Sequence, residues 1–249
     1  MSAASAPPEI SVVIPVYNEE KCVVRSMRRI QAFMSLKNWD WECLIVDDGS
    51  GDMTATLAAG VIKEDGHFRL IHNVKNRGKG AAVRQGALAA AGRHVLLSDI
   101  DLSAPIKELD KLLAAIHEGN DVAIGSRAVR APGADVRQSA KRWLFGRIFN
   151  LAVTTLVLKG FLDTQCGFKC FTREAAQTLF KLQQFDGFSF DVEILYLAQR
   201  KKMRIKEVPV MWSQGQDSKV RLFRDSYRMF RDLLRLRRRA RLDKKVDIR

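Results

Sequence analysis

The chain has 249 residues, 47% of them hydrophobic and 28% charged, with a formal net charge of +14. That is enough for one α/β domain with a sizeable core. It excludes a membrane-spanning helix of about 20 apolar residues, because the longest apolar stretch, Ile148 to Leu158, is broken by Asn150.

Met1 to Pro8 is small, polar and proline-ended, without the layout of a secretory signal; a disordered lead-in is expected there. Ile10 to Val16 is a β-branched run that predicts a strand, followed by a helix over Glu19 to about Leu36. Glu42 to Val46 predicts a second strand, closed by Asp47-Asp48-Gly49-Ser50, which is turn chemistry leading into capping residues. A helix to about Glu64, a strand at Phe68 to His72, a helix over Gly80 to Ala91 and a strand from His94 to Ser98 follow. Asp121 to Gly125 reads as a fifth strand. This alternation predicts a single α/β domain with a mostly parallel sheet and helices on both faces. Beyond it come a helix over Ser139 to Leu158, a Gly-containing segment at Asp163 to Lys169, a helix around Asp191 to Lys202 and a strand at Ile205 to Met211. The domain is bounded at 9–219, with a basic amphipathic helix or tail over 220–249.

Four cysteines (Cys22, Cys43, Cys166 and Cys170) do not make a disulfide framework in a chain this long, and no second pair completes a zinc site. Reduced thiols in the cytoplasm are expected. The cationic excess points to an anionic partner. In the C-terminal helix, Phe223, Tyr227, Phe230 and Leu234 fall at helical spacing beside Arg224, Arg228, Arg231, Arg235 and Arg238. Such a stripe suits a helix in the headgroup region of an anionic bilayer, and equally a core-packed helix with a solvated basic flank. Base-reading and stacking motifs are missing elsewhere, so no nucleic-acid partner is expected.

The chemistry is carried by strand ends. Ser98-Asp99-Ile100-Asp101 closes the fourth strand, and ligands of open α/β sheets bind at strand C-termini. Two carboxylates one residue apart there can share a Mg²⁺ or Mn²⁺ that also holds phosphate oxygens. Pro15-Val16-Tyr17-Asn18-Glu19, Asp47-Asp48-Gly49-Ser50 and Asn76-Arg77-Gly78-Lys79-Gly80 close the other strands of the same edge. Each alone reads as a turn or cap; their convergence points to a nucleotide-diphosphate donor.

Together these segments resemble family 2 glycosyltransferases of the GT-A fold. The resemblance implies that Pro15, Tyr17, Asn18 and Glu19 line a nucleotide pocket together with Asp48. It also implies that Asp47 contacts uracil and that Gly78 and Lys79 lie close to the donor. Asp99 and Asp101 would bind metal and diphosphate. Gly125-Ser126-Arg127 is similar to polyprenyl-phosphate glycosyltransferases. The runs Asp163 to Lys169, Phe190 to Glu193, Glu207 to Val210 and Ser218-Lys219 resemble the dolichyl-phosphate β-glucosyltransferases. Mannosyl relatives usually carry an arginine where this chain has Ser213, which moves the reading toward glucose. They also often carry a glutamine at the position of Ser103.

The reaction so implied inverts the anomeric carbon as a hexose passes from a UDP-sugar to a polyprenyl monophosphate; a saccharide or protein hydroxyl acceptor is the alternative. Arg127 and Arg142 are the candidates for clamping the acceptor phosphate, since guanidinium binds it as a fork. Lys219 is the candidate for closing over the donor. Asp191 is either a general base or an orienting acid, with Glu193 beside it. A lipid acceptor would require the Ser139 to Leu158 helix and the basic C-terminal helix to bring the protein to the inner face of a membrane as a peripheral enzyme.

Overall fold

A computed structural model describes residues 6–129, 136–137, 140–213 and 222–246. In chain order the elements are β1 (Ile10–Val16), α1 (Val23–Ser35), β2 (Trp41–Asp47), α2 (Thr54–Glu64), β3 (Phe68–His72), α3 (Lys79–Ala89) and β4 (His94–Leu97). A 3₁₀ turn at Ile106–Glu108 leads into α4 (Leu109–His117) and β5 (Val122–Ser126). Then come β6 (Val136–Arg137), α5 (Ala140–Leu156), β7 (Lys169–Thr172), α6 (Arg173–Leu182), α7 (Phe190–Arg200), β8 (Ile205–Pro209), β9 (Trp212–Ser213) and α8 (Leu222–Val246).

Seven strands form one sheet in the order β3-β2-β1-β4-β7-β5-β8. All neighbours are parallel except around β7, which runs antiparallel to both β4 and β5. The C-terminal ends of β1, β2, β3, β4, β5 and β8 therefore share one edge, and the start of β7, Lys169, joins them there. Pro15 is tolerated in a central strand for a local reason. β4 pairs with β1 only from Ile10 to Val13, so the missing N–H at Pro15 interrupts no ladder on that side.

Strands buried on both faces read as continuous apolar runs, and β1 and β2 do so here. One face packs Met27, Ile30 and Met34 of α1, Val61 of α2 and Leu112 and Ile116 of α4. The other packs Val83 and Ala87 of α3, Leu179 and Phe180 of α6, Leu195 of α7, Val153 of α5 and Leu233 and Leu236 of α8. α3 is small-residue rich because it lies close on the sheet: a Cβ at Gly86 would collide with Val13 and stand 2.9 Å from Val46 Cγ2.

The expected first-half strands and helices are present, with ends that coincide for β1 and β3 and differ by at most four residues elsewhere. β6, β7, β9, α4 and α6 lie outside the elements expected from sequence. α6 carries a start signal that sequence can show, since Thr172 Oγ1 accepts from Ala175 N at 3.2 Å.

Candidate active site

The β1–α1 turn is tied to the β2–α2 turn. Asn18, at φ 54°, donates its N–H to Ser50 Oγ (2.8 Å) and accepts from Gly51 N (2.8 Å). Asparagine tolerates this left-handed conformation better than most residues. Glu19 N donates to Thr54 Oγ1 at 2.6 Å. Tyr17 stands exposed above them and Pro15 is half-buried below.

Asp47 is enclosed by its neighbours. Its side chain is 0% exposed, Oδ1 accepts from the Ser50 hydroxyl and amide, and Oδ2 lies 2.7 Å from His72 Nδ1. A carboxylate so enclosed orients Ser50 and His72. Asp48 is also buried, taking the amides of Arg77 (3.0 Å) and Gly78 (2.7 Å). It thereby holds the loop that begins α3.

Gly78 and Gly80 are packed closely on another segment of the chain. Gly78 sits at φ +111°, and a Cβ there would collide with Asp186 O; one at Gly80 would stand 2.5 Å from Phe185 O. The glycines admit protein backbone, the 185–187 segment. That segment is fixed from behind by Glu193, wholly buried, which accepts from Gln184 N and Phe185 N and from Arg239 Nη1 at 3.0 Å. Burial raises the Glu193 carboxyl above its usual range, with these donors only partly opposing.

Pressed forward by this backing, Lys79 places Nζ 2.6 Å from Asp99 Oδ1. Burial alone would lower its ammonium pKa; Asp99, Asp191 and Asp101 outweigh that and raise it. Asp99 remains 39% exposed at the side chain. Asp101 is exposed, with Oδ1 accepting from Ser103 N (3.0 Å) and Oδ2 from Ser103 Oγ (2.7 Å). Leu102 between them adopts φ 49°, a conformation that costs a leucine about 1–2 kcal/mol and collects at functional turns. Two accessible carboxylates one residue apart make a hard-oxygen donor set that fits Mg²⁺ or Mn²⁺.

Behind Asp99 lies the 163–169 loop. A Cβ at Gly167 would overlap the Asp99 carboxylate. Ser98, Asp99, Ser103, Ala104, Gly167 and Trp212 are among the residues lining the crevice between them. Asp163 receives Arg127 Nε (2.7 Å) and Nη2 (2.8 Å), and the Arg127 guanidinium lies 5.3 Å from the Trp212 ring centre. Burial works to raise the Asp163 carboxyl, but Arg127 holds it below the usual range. Glu207 accepts from Leu162 N (2.8 Å) and Asp163 N (3.0 Å). At the far end Lys169, 1% exposed, donates to Cys166 O and to Asp191 Oδ1, both at 2.5 Å.

Arg127, Asp163–Lys169, Asp191 and Glu207 thus come together as partners of one another. The fork expected of Arg127 is already on Asp163, leaving Nη1 uncommitted to that carboxylate. Asp191 is buried against Lys169. Lys169 is not among the expected site residues, although a lysine opening the apolar run Lys169-Cys170-Phe171 calls for a buried anion. The side chain of Arg142, within α5, and the whole of Lys219 lie outside the described residues.

The model of glycosyl transferase family 2 matches residues 11–180. The chain belongs to that family. A dolichyl-phosphate beta-glucosyltransferase of Drosophila melanogaster is 37% identical over 238 residues, 90% of this chain and 73% of the relative. The enzyme of that name from Saccharomyces cerevisiae is 37% identical over 246 residues (92% and 74%), and that from Homo sapiens 36% over 242 (92% and 75%). Among solved structures, glucosyl-3-phosphoglycerate synthase from Mycobacterium tuberculosis with Mn²⁺, UDP-glucose and phosphoglyceric acid aligns with a TM-score of 0.68. It shares 20% identity and covers 91% of this chain and 77% of its own. That likeness establishes the GT-A architecture of this family 2 chain.

Proposed function

We propose that this family 2 enzyme moves glucose from UDP-glucose to a dolichyl-type polyprenyl monophosphate, inverting the anomeric carbon. The observation that carries this reading is the identity of 36–37% sustained over nine-tenths of the chain to relatives named for that activity. In the reaction an acceptor phosphate oxygen forms the new bond to C1 and UDP departs. A Mg²⁺ or Mn²⁺ held by Asp99 and Asp101 would neutralise charge on the departing diphosphate. Lys79, beside Asp99, adds a second positive charge at the same corner. Tyr17, Asn18 and Glu19 at the neighbouring turn face the nucleotide.

A phosphate monoester has a second pKa of about 6 and is largely dianionic at neutral pH, so it needs positioning more than deprotonation. The setting of Asp191 agrees: an ammonium already holds one of its oxygens, which suits an orienting acid. Arg127 offers Nη1 to the acceptor, with Arg142 as second clamp and Lys219 closing over the donor.

The same reading makes the protein peripheral on the cytoplasmic face of a membrane. Among the described residues no helix is long and apolar enough to cross a bilayer. α8 buries Leu233 and Leu236 while exposing Tyr227, Phe230 and Leu234, and α5 exposes Ile148 and Leu151. Exposed Arg228, Arg231 and Arg235 accompany that face, as anionic headgroups require.

The test is incubation with Mg²⁺, a panel of UDP- and GDP-sugars, and a short polyprenyl phosphate. Glucosyl-phosphoryl-polyprenol formed only from UDP-glucose is expected. Product on a saccharide hydroxyl, or none on the lipid, would refute it. Flotation with anionic liposomes at low salt should carry the protein, and failure to float would refute the membrane contact.

A further inference from the structure

The sheet edge opposite the candidate active site carries a second group of metal-ligating side chains. Glu9 immediately precedes β1, His94 opens β4 and His117 closes α4. The parallel register of β1 and β4 sets Ile10 against His94, so Glu9 and His94 are brought together by the sheet itself. α4 then delivers His117 onto the same spot. Each residue offers one ligating atom, and the three atoms lie within 4.8 Å of one another. His94 Nδ1 is 3.2 Å from the Glu9 carbonyl oxygen and 3.5 Å from Oε1.

The two imidazole rings meet at 74° with centroids 5.5 Å apart. Two imidazoles on one tetrahedral ion, with metal–nitrogen bonds of about 2.0–2.1 Å, hold their centroids about 5 Å apart. Small rotamer adjustments therefore suffice to close the site. Glu9 and His94 are half-buried and His117 is exposed, which leaves an approach from solvent. Arg93 is the competing cation, with Nη1 3.8 Å from Glu9 Oε2. An edge-to-face ring contact plus a His–Glu hydrogen bond accounts for the two pairs that include His94, but not for three ligating atoms within 4.8 Å of one another.

We propose that Glu9, His94 and His117 bind a divalent transition ion of borderline softness, Zn²⁺ as the type case, with water completing the shell. Two nitrogens and one carboxylate select against Mg²⁺ and Ca²⁺. The ion ties the entrance of β1, the start of β4 and the end of α4 together, at a site distinct from the Asp99–Asp101 corner.

The test is calorimetric titration of Zn²⁺ into the full chain in millimolar Mg²⁺, with thermal unfolding followed in parallel. One equivalent is expected to bind and raise Tm. His117→Ala and Glu9→Gln should each weaken binding at least tenfold, as expected when a ligand is lost, and abolish the Tm rise. Asp99→Ala should leave both unchanged. Tetrahedral Co²⁺ absorption lost in His117→Ala would identify the imidazole. The proposal is overturned if no saturable binding occurs, if both ligand variants bind as the parent does, or if binding follows Cys22→Ser instead.

Discussion

Gly167→Ala tests the candidate site without changing a charge. Gly167 is not among the residues with positive φ, so the effect of a methyl is steric. The added Cβ would stand 2.9 Å from Asp99 Cγ and 3.2 Å from Oδ1, and closer still to Oδ2. Contacting carbons prefer about 3.5–4.0 Å, so carboxylate or loop must give by about 1 Å. The loop is held at Asp163 by Arg127 and Glu207 and at Lys169 by Asp191; Asp99, 39% exposed and paired with the flexible Lys79 side chain, is the part that gives. A displacement of about 1 Å costs about 100-fold in rate, or about 2.7 kcal/mol. Overpacking adds about 1–3 kcal/mol of destabilisation, so the assay belongs well below Tm. With UDP-glucose and a short polyprenyl phosphate, kcat/KM should fall about 100-fold, and half-maximal activity should need more Mg²⁺. Parent activity with an unchanged metal requirement would refute the placement of Asp99 against Gly167.

Lys169→Met strands the buried Asp191 carboxylate and should destabilise by about 3–5 kcal/mol. Adding Asp191→Asn should recover much of the loss in denaturant melts, and additive losses would contradict the pairing. Asp191→Asn alone should reduce kcat by less than the roughly 100-fold minimum typical of a removed general base; a larger loss with donor binding intact would make Asp191 the base. The Asp163 carboxyl is held below its unfolded value of about 3.9, so its pairing stabilises the fold above that pH and is lost as pH falls through the lower folded pKa. Asp163→Asn should therefore be less stable at neutral pH and show a shallower acid limb. Identical acid limbs in parent and variant would rule this out.

Much of the fold was legible because β1, β2 and β4 are doubly buried and read as unbroken apolar runs between turn signals. β7 escaped because four residues opening with a lysine carry no strand signature by themselves; only the antiparallel pairing with β4 and β5 defines the element. The placement of Asp99 and Asp101 just beyond the C-terminal end of β4 was legible from the apolar run that precedes them. The partners of Asp47, Gly78 and Lys169 were not, since each depends on what the chain brings from 22 or more residues away: His72 onto Asp47, Asp186 onto Gly78, Asp191 onto Lys169. Motif residues next to a ligand pocket and motif residues that build its wall look alike in sequence. Burial separates them.

A crystal soaked with Mn²⁺ and UDP-glucose tests the central claim most directly. An anomalous manganese peak in contact with Asp99 or Asp101 and the donor diphosphate, with Lys79 Nζ turned toward a phosphate oxygen, is the expected result. Diphosphate bound away from that corner, or manganese held by other side chains, would contradict it.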